Sequence, residues 1–181
     1  MNITCLLTAA FEAGAVDKAS FIAEYGSIFE HSPWIAGQVW ESGMHNAGTQ
    51  ELLIAFSNVI RNASREQQLA LLRGHPQLAS GIAGKEELTV ESHMEQLGAG
   101  LDRCNVAEFE EFNSLNSAYQ NKFGFPFIIA IKGLSRGQIL ESFRARLANN
   151  PDEEFREALE QVIRIGGFRL QAADAETGSI S

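Results

Sequence analysis

Apolar residues recur at helical spacing along almost the whole chain, and only one short run suits a β-strand. Phe21, Ile22, Tyr25, Ile28 and Phe29 fall at i, i+1, i+4, i+7 and i+8, a broad stripe behind a capping Asp17. His31-Ser32-Pro33-Trp34 interrupts it, with Ser32 and Pro33 as N-cap and first-turn residue of a short helix carrying Val39 and Trp40. Thr49 opens a helix with Leu52, Leu53, Phe56, Val59 and Ile60 inward. Ser64 with Gln67, and Ser135 with Gln138, form capping boxes; Gly74 and Gly124 are terminators. Phe109, Phe112, Asn116, Tyr119 and Phe123 share one helical face, as do Ile139, Phe143 and Leu147. Asn150-Pro151-Asp152-Glu153 starts a last long helix expected to reach about Leu170. His75 to Glu87 reads as loop or a short helical turn, and the β-like run Phe125 to Ile131 is too isolated to make a sheet. The pattern predicts an all-α fold: one compact domain of about seven to nine helices over residues 1–171, with a polar, frayed tail at 172–181.

A chain of 181 residues should bury roughly 70 % of its unfolded surface and needs no disulfide or metal staple. Its 14 basic against 23 acidic side chains give −9, a balance that argues against nucleic acid as a partner. A small anionic substrate remains compatible, since one buried arginine suffices to hold it. Cys5 and Cys104 have no second cysteine nearby, which points to a reducing compartment. The first basic residue is Lys18, so no charged targeting region precedes it. The longest apolar run, nine residues from Phe123 to Ile131, cannot cross a bilayer as a helix. A soluble, cytoplasmic protein without a membrane partner is expected.

Three polar points stand out. On the helix behind Thr89, the period places Val90, Met94, Leu97 and Leu101 on one side, expected to be core. Ser92, Glu95, Gln96 and Ala99 lie opposite: a hydroxyl, a carboxylate and an amide on one face, for which solvation is the ordinary explanation. His75, between Gly74 and Pro76, is biased to an extended backbone that would fix its imidazole. Arg169 ends a stripe with Ala158, Val162 and Ile165, so it must either snorkel out, as a cation favoured near a helix C-terminus can, or point inward and meet an anion, for which substrate or product is expected. His31, His45 and His93 have no i, i+4 partner, so no metal pair is indicated. No phosphate-binding glycine loop or hydrolase nucleophile motif occurs. The residues alone name no reaction.

Taken in order, certain segments resemble a known family. They are Phe29-Glu30-His31-Ser32-Pro33-Trp34, Gly74-His75-Pro76-Gln77-Leu78-Ala79, Ser92-His93-Met94-Glu95-Gln96, Phe112-Asn113 with Tyr119, and Lys122-Phe123-Gly124-Phe125-Pro126-Phe127. The chain is similar, over about residues 4 to 171, to the 2-oxo-4-hydroxy-4-carboxy-5-ureidoimidazoline (OHCU) decarboxylases of urate breakdown. The resemblance implies an all-α, commonly dimeric enzyme that makes (S)-allantoin without cofactor or metal. It places catalytic roles on His75, Glu95 and Arg169, and substrate contacts on Pro76, Ser92, Gln96 and backbone around Phe127 and Ile128.

Two stretches depart from the family pattern. Gln77 stands where Asp is usual, and Ile165-Gly166-Gly167-Phe168 precedes Arg169 where the family tends to have Ala and Leu. Each glycine should cost a helix interior about 1 kcal/mol. The alternative to an enzyme is a homologue that binds a small ureide without turning it over. The carboxyl end, Ser179-Ile180-Ser181, lacks the usual peroxisomal tripeptide, which favours the cytoplasm.

Overall fold

The computed structural model of the chain describes residues 17–79 and 88–178; Cys5 and most of the loop expected from His75 to Glu87 lie outside them. Eight α-helices account for most of what is described: α1 Lys18–Tyr25, α2 Trp34–Glu41, α3 Thr49–Asn62, α4 Arg65–Arg73, α5 Val90–Gly98, α6 Val106–Phe123, α7 Arg136–Leu147 and α8 Pro151–Gly178. One-turn 3-10 helices lie at Met44–Asn46 and Leu101–Arg103. No strand occurs among the described residues. The fold is all-α, as the periodicity requires.

Local signals set most helix starts. Asp17 accepts the Ser20 N–H at 2.7 Å, and both expected capping boxes close reciprocally at Ser64–Gln67 and Ser135–Gln138. Asn105 and Glu108 form a further box at the start of α6. Helix α2 differs: Pro33 occupies the cap position and no side chain caps it, so Ser32 does not do so. Gly124 ends α6 at φ +76, a left-handed turn that suits a residue without Cβ. Helix α8 runs 28 residues, past the expected end near Leu170. Ala172, Ala173 and Ala175 are strong helix formers and carry it on.

Helix α8 is the spine. It packs against α3, α4 and α6, while α1 and α2 complete the near side and α7 lies on α6. Phe21, Ile35, Phe56, Ile60, Leu72, Phe112, Phe143, Ala158 and Val162 are all fully buried in one continuous core. The paired glycines of α8 have a packing reason. A Cβ on Gly166 would lie 2.3 Å from Phe29 Cε1, so only glycine lets the α1–α2 turn come this close to α8. That turn carries Glu30, and Arg169 follows one turn later along α8.

The run Phe125 to Ile131 is mostly buried, yet it forms neither helix nor strand. Side chains hold it instead. Arg146 Nη1 donates to the Ile128 carbonyl at 2.6 Å, and the Ala130 N–H donates to Gln161 Oε1 at 2.9 Å. Phe127 stacks on Phe143 at 3.9 Å. Arg146 is itself tethered by the buried Glu154, which also accepts from Tyr119 Oη and from Asn149 at 2.7 Å.

Candidate active site

Four segments converge: the α1–α2 turn with Glu30, the end of α4 with His75, the inner face of α5, and α8 with Arg169. The face of α5 is reversed from expectation. Val90 and Met94 are 77 % and 62 % exposed, whereas Ser92 and Gln96 are 4 % and 7 % exposed. The polar side turns inward because polar partners wait there, and hydrogen bonding removes the cost that normally keeps such groups outside. Of the expected core residues on this helix, Leu97 is half-buried, and Leu101, just beyond its end, is buried.

Arg169 is the hub. Its Nε donates to Glu95 Oε1 at 2.7 Å and its Nη2 to Glu95 Oε2 at 2.9 Å, a two-pronged pairing. Nη2 also reaches Glu30 Oε1 at 2.9 Å and Ser92 Oγ at 3.2 Å, and Nη1 reaches the Ile28 carbonyl at 3.2 Å. The inward stripe is thus confirmed, but its anion is supplied by protein carboxylates rather than left for substrate alone. Burial works against the guanidinium charge, and Glu95 and Glu30 more than restore it.

His75 is buried and its Nδ1 lies 3.3 Å from the Leu71 carbonyl. A carbonyl can only accept, so the neutral ring carries its proton on Nδ1 and its lone pair on Nε2. Burial pushes its pKa down to about 4, against the pull of the Glu30 charge. The resting ring is therefore a neutral base at neutral pH. Gln96 pins the backbone that follows: its Oε1 accepts from Ala79 N at 3.0 Å and its Nε2 donates to the Gln77 carbonyl at 3.3 Å.

His75, Pro76, Ser92, Glu95, Gln96, Phe127, Ile128 and Arg169 all line one cleft of about 30 Å³. All eight residues singled out in the sequence therefore meet. The cleft adjoins a cavity of about 320 Å³, with which it shares Glu95, Ile131 and Ile165; Lys132 and Phe168 also line that cavity. No three His, Cys, Asp or Glu side chains among the described residues converge as a metal set.

One member escaped the sequence reading. Glu30 is 1 % exposed and accepts at Oε1 from Thr89 Oγ1 at 3.1 Å, from Ser92 Oγ and from Arg169. Burial alone would raise its pKa, but these hydrogen bonds and the Arg169 charge hold it below the usual carboxylate range. A lone acid in a turn carries no periodic signature. The usable signal was its place within the Phe29 to Trp34 segment.

The family model described as OHCU decarboxylase matches residues 14–171. A 2-oxo-4-hydroxy-4-carboxy-5-ureidoimidazoline decarboxylase of Halalkalicoccus jeotgali is 40 % identical over 157 residues, covering 86 % of this chain and 85 % of that protein. A protein of the same name from Haloferax volcanii is 36 % identical, covering 88 % and 92 % respectively. The crystal structure of an (S)-allantoin synthase superposes with a TM-score of 0.69 at 29 % identity; the match covers 87 % of this chain and half of that one. With its sequence matched over most of its length and its helices arranged as in a solved relative, the chain belongs to the OHCU decarboxylase family.

Proposed function

We propose that the protein decarboxylates 2-oxo-4-hydroxy-4-carboxy-5-ureidoimidazoline to (S)-allantoin in urate breakdown. One observation carries this reading beyond family membership: a neutral, buried His75 shares a cleft with an arginine held by two carboxylates. The substrate bears its carboxylate on a ring carbon next to a C=N bond. When the bond to the carboxylate breaks, its electron pair flows into that imine, so no metal or organic electron sink is required. The ring nitrogen that receives the pair takes up a proton. The hydroxyl proton leaves as the carbonyl forms, and the former imine carbon is protonated on one face.

His75 Nε2 takes the hydroxyl proton and returns it to carbon, as a general base and then an acid. Glu95 orients the hydroxyl, and Arg169 stabilises charge growing on the ring through its planar fork. Ser92 and Pro76 flank the reacting end. The segment at Phe127 and Ile128 presents backbone to the ring, and Gln96 keeps the His75 loop seated. The 30 Å³ cleft is too small for the whole molecule, so the ureido arm extends into the 320 Å³ cavity.

The same reading makes the protein a cytoplasmic homodimer, supported by the apolar Val90 and Met94 exposed on α5; light scattering reads the mass directly. No helix among the described residues is long and apolar enough to cross a membrane. The test of function is carbon dioxide release from freshly generated substrate. The protein accelerates it well above spontaneous decay, whereas a rate equal to that decay defeats the proposal.

A further inference from the structure

Glu30 does more than neutralise Arg169. Its Oε1 is crowded with three donors, from Thr89, Ser92 and Arg169, while its buried Oε2 has no hydrogen-bond partner. A buried carboxylate oxygen left open is costly in a site otherwise well satisfied. The residue also lines, with His75, Pro76 and Thr89, a pocket of about 200 Å³ that shares His75 and Pro76 with the substrate cleft. The next residue, His31, sits at φ +49, a strained backbone that side chains rarely adopt and that sites of function tend to hold.

With Glu95 alone, the protein groups at the cleft would balance Arg169 at rest, and proton transfer from the substrate would leave the His75 imidazolium opposite the anion formed on the substrate, with no protein carboxylate to share its charge. With Glu30 present, the cluster of Arg169, Glu95, Glu30 and neutral His75 carries one negative charge at rest. It becomes neutral when the ring is protonated. The other charged or titratable side chains nearby, Arg73 and His31, are exposed and screened by water. We infer that Glu30 is a positioning residue for the reaction: Oε1 sets Arg169 and Ser92, and its charge balances the imidazolium that His75 becomes on taking the substrate proton. This rests on the decarboxylase reading above.

The test is E30Q, which keeps an acceptor for Thr89, Ser92 and Arg169 but removes the charge. Because the imidazolium exists only along the reaction path, kcat falls at least tenfold while KM and the Kd for (S)-allantoin stay within threefold of wild type. E30D, which restores the charge on a shorter arm, recovers part of the lost kcat. Should E30Q not fold, E30D and E30N repeat the comparison as a pair that differs only in charge, and the charged member is at least tenfold faster. A kcat loss smaller than tenfold overturns the inference, as does a loss confined to KM or an E30D no faster than its neutral counterpart. Failure of the decarboxylase reading is separate: it appears as a wild-type protein without turnover.

Discussion

Replacing Gly166 by alanine sets two effects against each other. In a helix interior alanine is favoured over glycine by about 1 kcal/mol, so propensity alone predicts a gain in stability. The added Cβ, however, would stand 2.3 Å from Phe29 Cε1 and 2.5 Å from Cζ. Carbon atoms rest at about 3.5–4.0 Å, so the gap must open by more than about 1 Å. Phe29 cannot yield easily, because it is 2 % exposed and packed edge-on against Phe56 at 5.5 Å. Overpacking of this kind costs about 1–3 kcal/mol, and so short a contact with a rigid ring belongs at the upper end. The net expectation is a loss of about 2 kcal/mol, or roughly 4–8 °C in Tm for a chain of this size. Gly167→Ala is the control: its Cβ would meet Leu53 Cδ2 at 3.2 Å, the movable end of a half-buried side chain, so propensity should win there. Thermal and urea melts of both variants read the difference. A G166A protein as stable as its parent would refute the close-approach argument.

Other outcomes follow from the same geometry. His75→Asn and Glu95→Gln should each lower kcat at least ~100-fold, and the double variant should be little worse than either, since they act as one proton-handling unit. Additive losses would separate their roles. Arg169→Lys keeps charge but cannot pair both Glu95 oxygens and Glu30 at once, so it should cost more than about 1 kcal/mol in transition-state stabilisation, read from kcat/KM. His75 titrates near 4 when folded against an ordinary 6.5, so its contribution to stability is fully present above pH 6.5 and is lost as pH falls towards 4. The urea midpoint of wild type should therefore decline across that window, and H75N should flatten the upper part; an unchanged slope in H75N contradicts the burial argument.

What could be read from sequence was what is local. Asp17, Ser64 with Gln67 and Ser135 with Gln138 cap their helices because hydrogen bonds within four residues need no tertiary partner. The stripe ending in Arg169 was legible for the same reason, since Ala158, Val162 and Ile165 fix its direction by period. The face of α5 was misread because polarity was equated with exposure. Ser92 and Gln96 turn inward only because Glu30, Arg169 and the backbone of Gln77 and Ala79 are there to receive them. Those partners lie 17 to 77 positions away, beyond any window of local pattern. Gly166 shows the same limit: its apparent helix penalty becomes a packing requirement once Phe29 lies against it. Family resemblance supplied the grouping of His75, Glu95 and Arg169 that periodicity alone left as separate points.

Circular dichroism of the allantoin formed tests whether the chemistry takes place in the His75–Glu95–Arg169 cleft with protonation on a fixed face, because the spontaneous reaction has no preferred face. Freshly generated substrate should give a single optically active product, (S)-allantoin, with wild-type protein, and racemic product with H75N at the spontaneous rate. Racemic allantoin from the wild-type protein, or undiminished (S)-product from H75N, would contradict the account.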